Sequence, residues 1–271
     1  MEYIISAPKK ISIGIKELWS YKELFYFFTW RDIKVKYKQA MFGFAWAILQ
    51  PLVTMLIFTF LGNMLSIPSD NIPYPVFAYS GLMLWTMFSS AVTNAGNSMV
   101  TSSNIIKKIY FPRLIIPVSS ILVAAFDFIM AFIVFIGLLI YFNIEVSVFK
   151  VICFVPISVI ITIIASFGLG SFLASLNVKY RDFKYIIPFF VQSLMFLTPV
   201  IYPVSVLKYQ WAKYLMAVNP MSGAIDLTRN AIINNSLNLD CFLISVVSAI
   251  IIFFVGLFYF RKTEAYFADI A

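Results

Sequence analysis

Long apolar runs alternate with short polar segments along most of the chain, and the apolar runs have membrane-spanning length. A helix that crosses the hydrocarbon part of a bilayer needs about 20 mostly apolar residues. Six runs meet this requirement and predict six transmembrane helices. Their approximate ranges are 40–62, 74–96, 114–141, 151–176, 185–203 and 241–260. The pattern therefore predicts an all-α integral membrane protein with a single transmembrane domain.

The basic residues fall mainly before the first span, after the last span and on alternate connections between spans. Of the 20 lysines and arginines, all but Lys150, Lys208, Lys213 and Arg229 lie on this one side. Cytoplasmic segments of membrane proteins carry such an excess. The distribution predicts a multi-pass protein of the cytoplasmic (inner) membrane with both termini in the cytoplasm. Residues 1–39 form a cytoplasmic segment, 40–262 the six-span region and 263–271 a cytoplasmic tail.

The polar segment before the first span has a helical pattern of its own. The predicted apolar stripe consists of Tyr26, Trp30, Ile33 and Tyr37. The flanking charges are Arg31, Lys34 and Lys38 on one side, and Asp32 and Lys36 on the other, the last two predicted as an i,i+4 pair. Such a helix lies in the membrane interface, either as a simple topology anchor or as a collar that touches a cytoplasmic partner. Gly43 is predicted to turn the chain into the first span, and Pro51 to kink that span.

Two short connections on the basic side combine charged and aromatic residues. The first, SSNIIKKIYFPR at 102–113, is predicted as a short helix that Ser102 or Ser103 caps and Pro112 ends. Its predicted apolar face consists of Ile105, Ile106, Ile109 and Tyr110, and its polar face of Lys107 and Lys108. The second connection is NVKYRDFK at 177–184. Each connection fits either a solvated loop or a docking element. Together with the amphipathic segment before the first span, they place three such elements on one face, which favours a cytoplasmic partner.

The last connection on the opposite side, from about 203 to 240, is long enough for short helices. Pro199 and Pro203 are predicted to break the fifth span early, because proline has no N–H to donate. A helix is expected from Pro220, and Trp211 suits a membrane interface. A re-entrant helix pair at the outer mouth is favoured over a disordered or lipid-lying loop. A seventh span is rejected because it would bury Lys208, Lys213, Asp226 and Arg229.

One full charge, Asp127, lies inside a predicted span. A carboxylate within the membrane is a candidate functional group, a structural hydrogen-bonding partner of another helix, or a protonated acid. The same question arises more weakly for Gln50, Asn94, Asn97 and Gln192. Small residues at Ser166, Gly170 and Ala174 predict close helix packing on the fourth span.

Composition limits the chemistry that this chain can perform. It is 62% hydrophobic and contains no histidine, which excludes histidine general bases, serine–histidine pairs and histidine metal sites. It has no phosphate-binding loop of the G-x-x-x-x-G-K-[ST] type. Cys153 and Cys241 are either two free thiols or one disulfide. The net charge of +8 fits the cytoplasmic lipid surface, and no nucleic acid partner is expected.

Several of these segments together resemble the ABC-2 type polysaccharide export permeases, the membrane subunits that export O-antigen, capsule or teichoic acid polymers. The segments are WRDIKVKYKQAMFGFAWAILQPL, IYFPRLIIPVSS, NVKYRDFKYIIPFFVQSLMFLTPVIYP and NPMSGAIDLTRN. The resemblance covers roughly residues 20–262. It implies a homodimer with a channel between the copies, a separate cytoplasmic ATPase dimer that binds ATP and Mg²⁺, and no enzymatic activity or cofactor on this chain.

The resemblance also implies roles for the residues that match. It implies an interface helix that meets lipid headgroups, at Trp30, Arg31, Asp32, Lys34, Lys36, Tyr37 and Lys38. It implies ATPase-coupling residues at Asn104, Lys107, Lys108, Tyr110, Phe111, Pro112, Arg113, Tyr180, Arg181 and Asp182. It implies an external gate that includes Pro199, Tyr202, Pro203, Trp211, Asn219, Pro220 and Arg229. Two other classes remain open: an ABC-2 exporter of a drug or small lipid, and a membrane glycan transferase or ligase.

Overall fold

The computed structural model describes residues 19–38, 43–232, 237–264 and 267. The predicted segment 1–39, the start of the first span and the tail 263–271 therefore lie partly outside the described residues. The described ranges contain ten α-helices, a short 3₁₀ helix at Val204–Val206 and no strand. The helices are α1 (Lys22–Lys38), α2 (Ala45–Met64), α3 (Tyr74–Thr101), α4 (Ser103–Ile106), α5 (Ile115–Tyr141), α6 (Val148–Lys179), α7 (Phe183–Phe196), α8 (Gln210–Ala217), α9 (Pro220–Asn230) and α10 (Leu239–Thr263).

Five helices are long and apolar enough to cross a membrane: α2, α3, α5, α6 and α10. These five correspond to predicted spans. The predicted fifth span, 185–203, is the exception, because α7 ends at Phe196 after 14 residues. The prolines at 199 and 203 offer no N–H to continue the helix, so the predicted early break is confirmed. Between 204 and 238, the described residues contain only short helices, in agreement with the rejection of a seventh span.

Helix α3 forms the centre of the bundle and is buried along most of its length between α5 and α6. Gly170 of α6 allows this approach, since a Cβ atom there would lie 2.8 Å from the Cβ of Ala95. The predicted small-residue stripe on α6 is therefore a close packing surface. A second close contact, which the sequence analysis missed, joins α6 to α10. A Cβ atom on Gly256 would lie 1.9 Å from the carbonyl oxygen of Gly168.

Helix α1 packs along the first half of α5. The ring centres of Phe28 and Phe111 are 5.5 Å apart, and Phe111 lies just before α5. Farther along, Ile33 packs with Val123 of α5. The chain then turns at Gly43, whose φ of +48° lies in the left-handed region that favours glycine. This confirms the predicted turn. Helix α2 continues through Pro51, and a kink there stays a prediction.

The two ends of the bundle differ in their elements. The α4 end holds α4, the turn between α6 and α7, and the C-terminal end of α10. The α9 end holds α8 and α9. Helix α9 begins at Pro220 as predicted, and nearly all of its residues are buried against α3, α6 and α10.

Candidate functional site

A cavity of about 540 Å³ lies between α2, α3, α5 and α7. It brings together the predicted polar residues Gln50, Asp127 and Gln192, and it also reaches Lys36 of α1. Neutral side chains of α2 and α3 supply most of the other polar groups, together with the rings of Trp46 and Trp85. These neutral polar residues are Thr54, Thr86, Ser89, Ser90, Thr93 and Asn94.

The Asp127 carboxylate joins α5 to α1 through both of its oxygens. The Lys36 ammonium group donates to one oxygen, and the Tyr37 hydroxyl donates to the other. Burial, followed by this hydrogen bond, raises the pKa of the Tyr37 phenol. Of the three roles considered for Asp127, the geometry shows the helix-to-helix contact, and it places that contact at the cavity wall.

The charges on α1 pair differently from the prediction. Asp32 pairs with the neighbouring Arg31 at 2.7 Å, while Lys36 pairs with Asp127, so the predicted Asp32–Lys36 pair does not form. A distant partner on α5 has replaced the local one because α1 turns Lys36 toward that helix. Lys34 lies 5.3 Å from the ring of Trp30.

The predicted aromatic stripe of α1 is divided between two faces. Ile33 and Tyr37 are buried against α5, whereas Tyr26 and Trp30 are exposed and stack on each other. Phe28, which lay outside the predicted stripe, takes the buried position near the start of the helix. Tyr26 and Trp30 are thus available to a lipid surface, while the other two hold α1 to the bundle.

The connection at 102–113 has an exposed part and an anchored part. Asn104, Lys107, Lys108 and Tyr110 are exposed, whereas Phe111 and Pro112 are buried. The helix ends at Ile106 rather than near Pro112, and neither predicted serine cap forms a side-chain bond. The predicted apolar face is also divided, since Ile109 and Tyr110 are exposed and Ile106 is buried. A shallow cavity of about 250 Å³ lies between the lysines and Arg113.

Arg113 is held from inside the protein rather than being presented at the surface. Its backbone N–H donates to the Glu264 carboxylate at 3.3 Å, and its guanidinium donates to the carbonyl of the same residue. The guanidinium also lies 6.0 Å from the ring of Phe267, which is buried among Phe260 and residues of the anchored part. These contacts make Arg113 a clamp between this connection and the end of α10, and its coupling role toward a partner stays a prediction.

The connection at 177–184 also has one buried and one exposed part. Asn177 still belongs to α6 and donates to the Gly96 carbonyl and to the Asn97 side chain, both at 3.0 Å. Tyr180, Arg181 and Asp182 follow the helix and are exposed. The exposed residues of both connections therefore lie at the α4 end.

At the α9 end, Arg229 holds the interrupted end of α7. Only 4% of Arg229 is exposed, and its guanidinium lies 3.6 Å from the ring centre of Phe77. It donates to the carbonyls of Pro199 at 2.7 Å, Val200 at 2.5 Å and Phe77 at 3.4 Å. Burial lowers the pKa of this guanidinium to about 10, and the Asp226 carboxylate opposes that shift. Pro199 and Pro203 have no backbone N–H to donate, and the guanidinium of Arg229 supplies hydrogen bonds to the carbonyls of this segment instead.

The other predicted residues of the outer segment surround this joint. Asn219 caps α9 by accepting from the N–H of Met221, and it donates to the Thr198 hydroxyl at 2.7 Å. The Tyr202 hydroxyl donates to the Phe196 carbonyl at 3.2 Å, and burial raises the pKa of that phenol. Pro203 is buried, whereas Trp211 is exposed and stacks on Tyr209.

Apart from Asn94 and Asn97, the sequence analysis missed the polar face of α3. Thr86, Ser89, Ser90 and Thr93 recur at intervals of three and four residues, which places them on one side of a helix. That spacing could have revealed the face. Among the described residues no three potential metal ligands cluster, and Cys153 and Cys241 are both free thiols.

The fold and the cavity define a helical membrane protein whose spans enclose a polar site. The model of the ABC-2 type transporter family matches residues 23–233. An O-antigen export system permease protein RfbA of Klebsiella pneumoniae is 30% identical over 245 residues, which cover 89% of this chain and 92% of that protein. The O-antigen export system permease protein RfbA of Myxococcus xanthus is 29% identical over 76% of this chain and 79% of that protein. The polysialic acid transport protein KpsM of Escherichia coli is 23% identical over 86% of this chain and 91% of that protein. The chain therefore belongs to the ABC-2 type transporter family.

Proposed function

We propose that this chain is the permease subunit of an ATP-binding cassette exporter that moves a lipid-linked polysaccharide across the cytoplasmic membrane. The observation that carries the proposal is the cavity between α2, α3, α5 and α7. Its hydroxyl and amide groups can both donate and accept hydrogen bonds, as sugar hydroxyls do. Its indole rings offer flat apolar faces to the C–H faces of sugars. The names of the relatives support a polymer of the O-antigen or capsule type, and teichoic acid is the third class considered.

In the proposed topology the α4 end faces the cytoplasm and the α9 end faces outward. Five long spans and the shorter α7 then give six passages, with both termini in the cytoplasm. Helices α8 and α9 form the outer gate, which Arg229 fastens to the end of α7. The excess of basic residues at the α4 end supports this orientation.

Two copies of the chain form the exporter, with the channel between them. Helix α2 supports this arrangement because it borders the cavity while only three of its residues are buried. In a single copy, one side of the cavity is therefore formed by a helix whose other face is exposed. A second copy facing it would join the two cavities into one polar path.

A separate ATPase dimer binds ATP and Mg²⁺ and drives the cycle. Its contact surface on each permease copy consists of the exposed parts of the connections at 102–113 and 177–184. Closure of the ATPases would push these connections, and the Arg113–Glu264 contact would pass the displacement to α10. The phosphate groups of the lipid carrier would meet the cations of α1, where Lys34 and Lys38 are exposed and Lys36 is already paired with Asp127.

Depletion of this chain in its own cell tests the proposal. We expect completed lipid-linked polysaccharide to accumulate on the cytoplasmic face and to disappear from the surface. Surface polymer at the normal level in cells that lack the chain and every other polysaccharide exporter would contradict the proposal. Polymer that reaches the outside but stays unattached would instead indicate a glycan transferase or ligase.

A further inference from the structure

The cavity has two charged residues, and they cancel each other. Among the described residues that line it, Lys36 and Asp127 are the ones with a formal charge. They form a direct ion pair, in which Tyr37 occupies the second carboxylate oxygen. Opposite charges in contact leave only the weak field of a dipole a few ångströms away. A molecule in the cavity therefore meets no net charge from this pair, because the charge of Lys36 is balanced by that of Asp127.

The rest of the lining is neutral and can hydrogen-bond in both directions. The amides of Gln50, Asn94 and Gln192 each present a donor and an acceptor. The hydroxyls of Thr54 and Thr86 donate to carbonyls of their own helices, at 2.8 and 3.1 Å, and present their lone pairs as acceptors. Sugar hydroxyl groups match such a surface.

An acidic sugar fits this lining poorly. Its carboxylate only accepts hydrogen bonds and loses water on entry. Among the described lining residues, Lys36 is the one cation, and its charge is already balanced by Asp127, so the loss of water is not compensated.

We propose that the cavity binds uncharged sugar residues and rejects acidic ones, and that the Lys36–Asp127 pair sets this specificity. The inference rests on the proposed function and narrows it to polymers whose repeating sugars are neutral. It gives Lys36 and Asp127 a role in selecting the substrate that is separate from their role in holding α1 to α5.

The test uses the full-length chain with its ATPase in lipid nanodiscs and follows tryptophan fluorescence. The probes are uncharged oligosaccharides of glucose, mannose and galactose, and acidic oligosaccharides of galacturonic and sialic acid of matched length. We expect quenching that depends on Trp46 and Trp85, with uncharged chains binding at least about tenfold more tightly than acidic ones, as one uncompensated charge in a protein site allows.

Charge variants separate the effect of charge from that of shape. Asp127→Asn frees the charge of Lys36, and we expect it to raise the affinity for acidic chains about tenfold relative to that for uncharged chains. Lys36→Gln should weaken acidic binding further. The double variant Lys36→Gln/Asp127→Asn is neutral again and should restore the original preference for uncharged chains.

Acidic chains that bind as tightly as uncharged ones to the unmodified protein would overturn the inference, and so would a lack of binding by every uncharged chain. Each charge variant is first checked for a single symmetric gel-filtration peak, so that misfolding is not read as lost specificity. The proposed function is judged separately by polymer export in cells. If the exported polymer proves to be acidic, the inference fails and the exporter proposal stands.

Discussion

Each end of the bundle holds an arginine beside a proline-containing joint, but the two joints are built differently. At the α9 end, Arg229 is almost fully buried and donates to three backbone carbonyls on two other segments. At the α4 end, Arg113 is half-buried, contacts Glu264 and the ring of Phe267, and lies beside a run of exposed residues. The comparison indicates a fixed joint at the α9 end and, at the α4 end, a joint beside exposed residues. In the proposed topology these are the outer and the inner joint.

The largest effect is expected from Arg229→Met, which removes the donors of the outer joint. The Pro199 and Val200 carbonyls lose this donor, whereas the Phe77 carbonyl keeps the Ser80 hydroxyl. An unsatisfied buried carbonyl costs about 1–3 kcal/mol, so we expect the free energy of unfolding to fall by about 3 kcal/mol. Thermal inactivation in detergent, followed by fluorescence-detected gel filtration, measures this. A loss below about 1 kcal/mol would mean that the outer joint is not fixed by Arg229.

The next largest loss of stability is expected from Gly81→Ala, because Gly81 leaves room for the contacts of Arg229. A Cβ atom on Gly81 would lie 2.9 Å from both Nη2 of Arg229 and the Val200 carbonyl oxygen. Gly81→Ala should therefore cost about 1–3 kcal/mol of stability, as overpacking does. Gly137→Ala is the matched control, because no atom lies within 4 Å of a Cβ atom there. Equal melting temperatures for the two variants would contradict the crowding.

A smaller loss is expected at the inner joint from Arg113→Ala. This joint has fewer hydrogen bonds and remains partly solvated, so we expect a loss of about 1–1.5 kcal/mol. If the clamp also passes displacement to α10, ATP hydrolysis by the complex should respond less to substrate. A variant whose stability falls while its stimulated hydrolysis is unchanged would show that the clamp is structural alone.

The smallest effect on stability is expected from Lys107→Glu and Lys108→Glu, which alter exposed side chains next to that clamp. Surface substitutions usually stay within about 0.5 kcal/mol. The same variants should reduce substrate-stimulated ATP hydrolysis if these lysines face the ATPase. Lys208→Glu, an exposed lysine near the opposite end, is the control and should leave the stimulation unchanged. Equal responses at the two ends would remove the distinction between them.

The difference between the joints also shows what the sequence can and cannot reveal. Apolar run length predicted the spans, and proline chemistry predicted the end of α7, because both depend on neighbouring residues. The partner of Asp127 could not be predicted, since Lys36 lies 91 positions earlier and reaches it only through the packing of α1 on α5. A local pairing with Asp32 looked equally reasonable.

The same reasoning applies to the two arginines. Arg229 was placed in an outer helix because of its charge, yet the structure buries it, since backbone carbonyls at a broken helix can satisfy a guanidinium. For Arg113 the resemblance implies a role in coupling, and it gives no sign of the partner Glu264, which lies 151 residues later in the chain. Distant contacts of this kind leave no periodic signal, whereas the polar face of α3 does.

The contact between Gly168 and Gly256 has a mechanical consequence. With no side chain between them, the backbones of α6 and α10 touch nearer the α4 end than the α9 end, which couples the two helices there. If the proposed ATPase contact pushes α6 where it ends, beside Tyr180, the displacement would also reach α10 where it ends, beside Thr263. Both connections would then share the push.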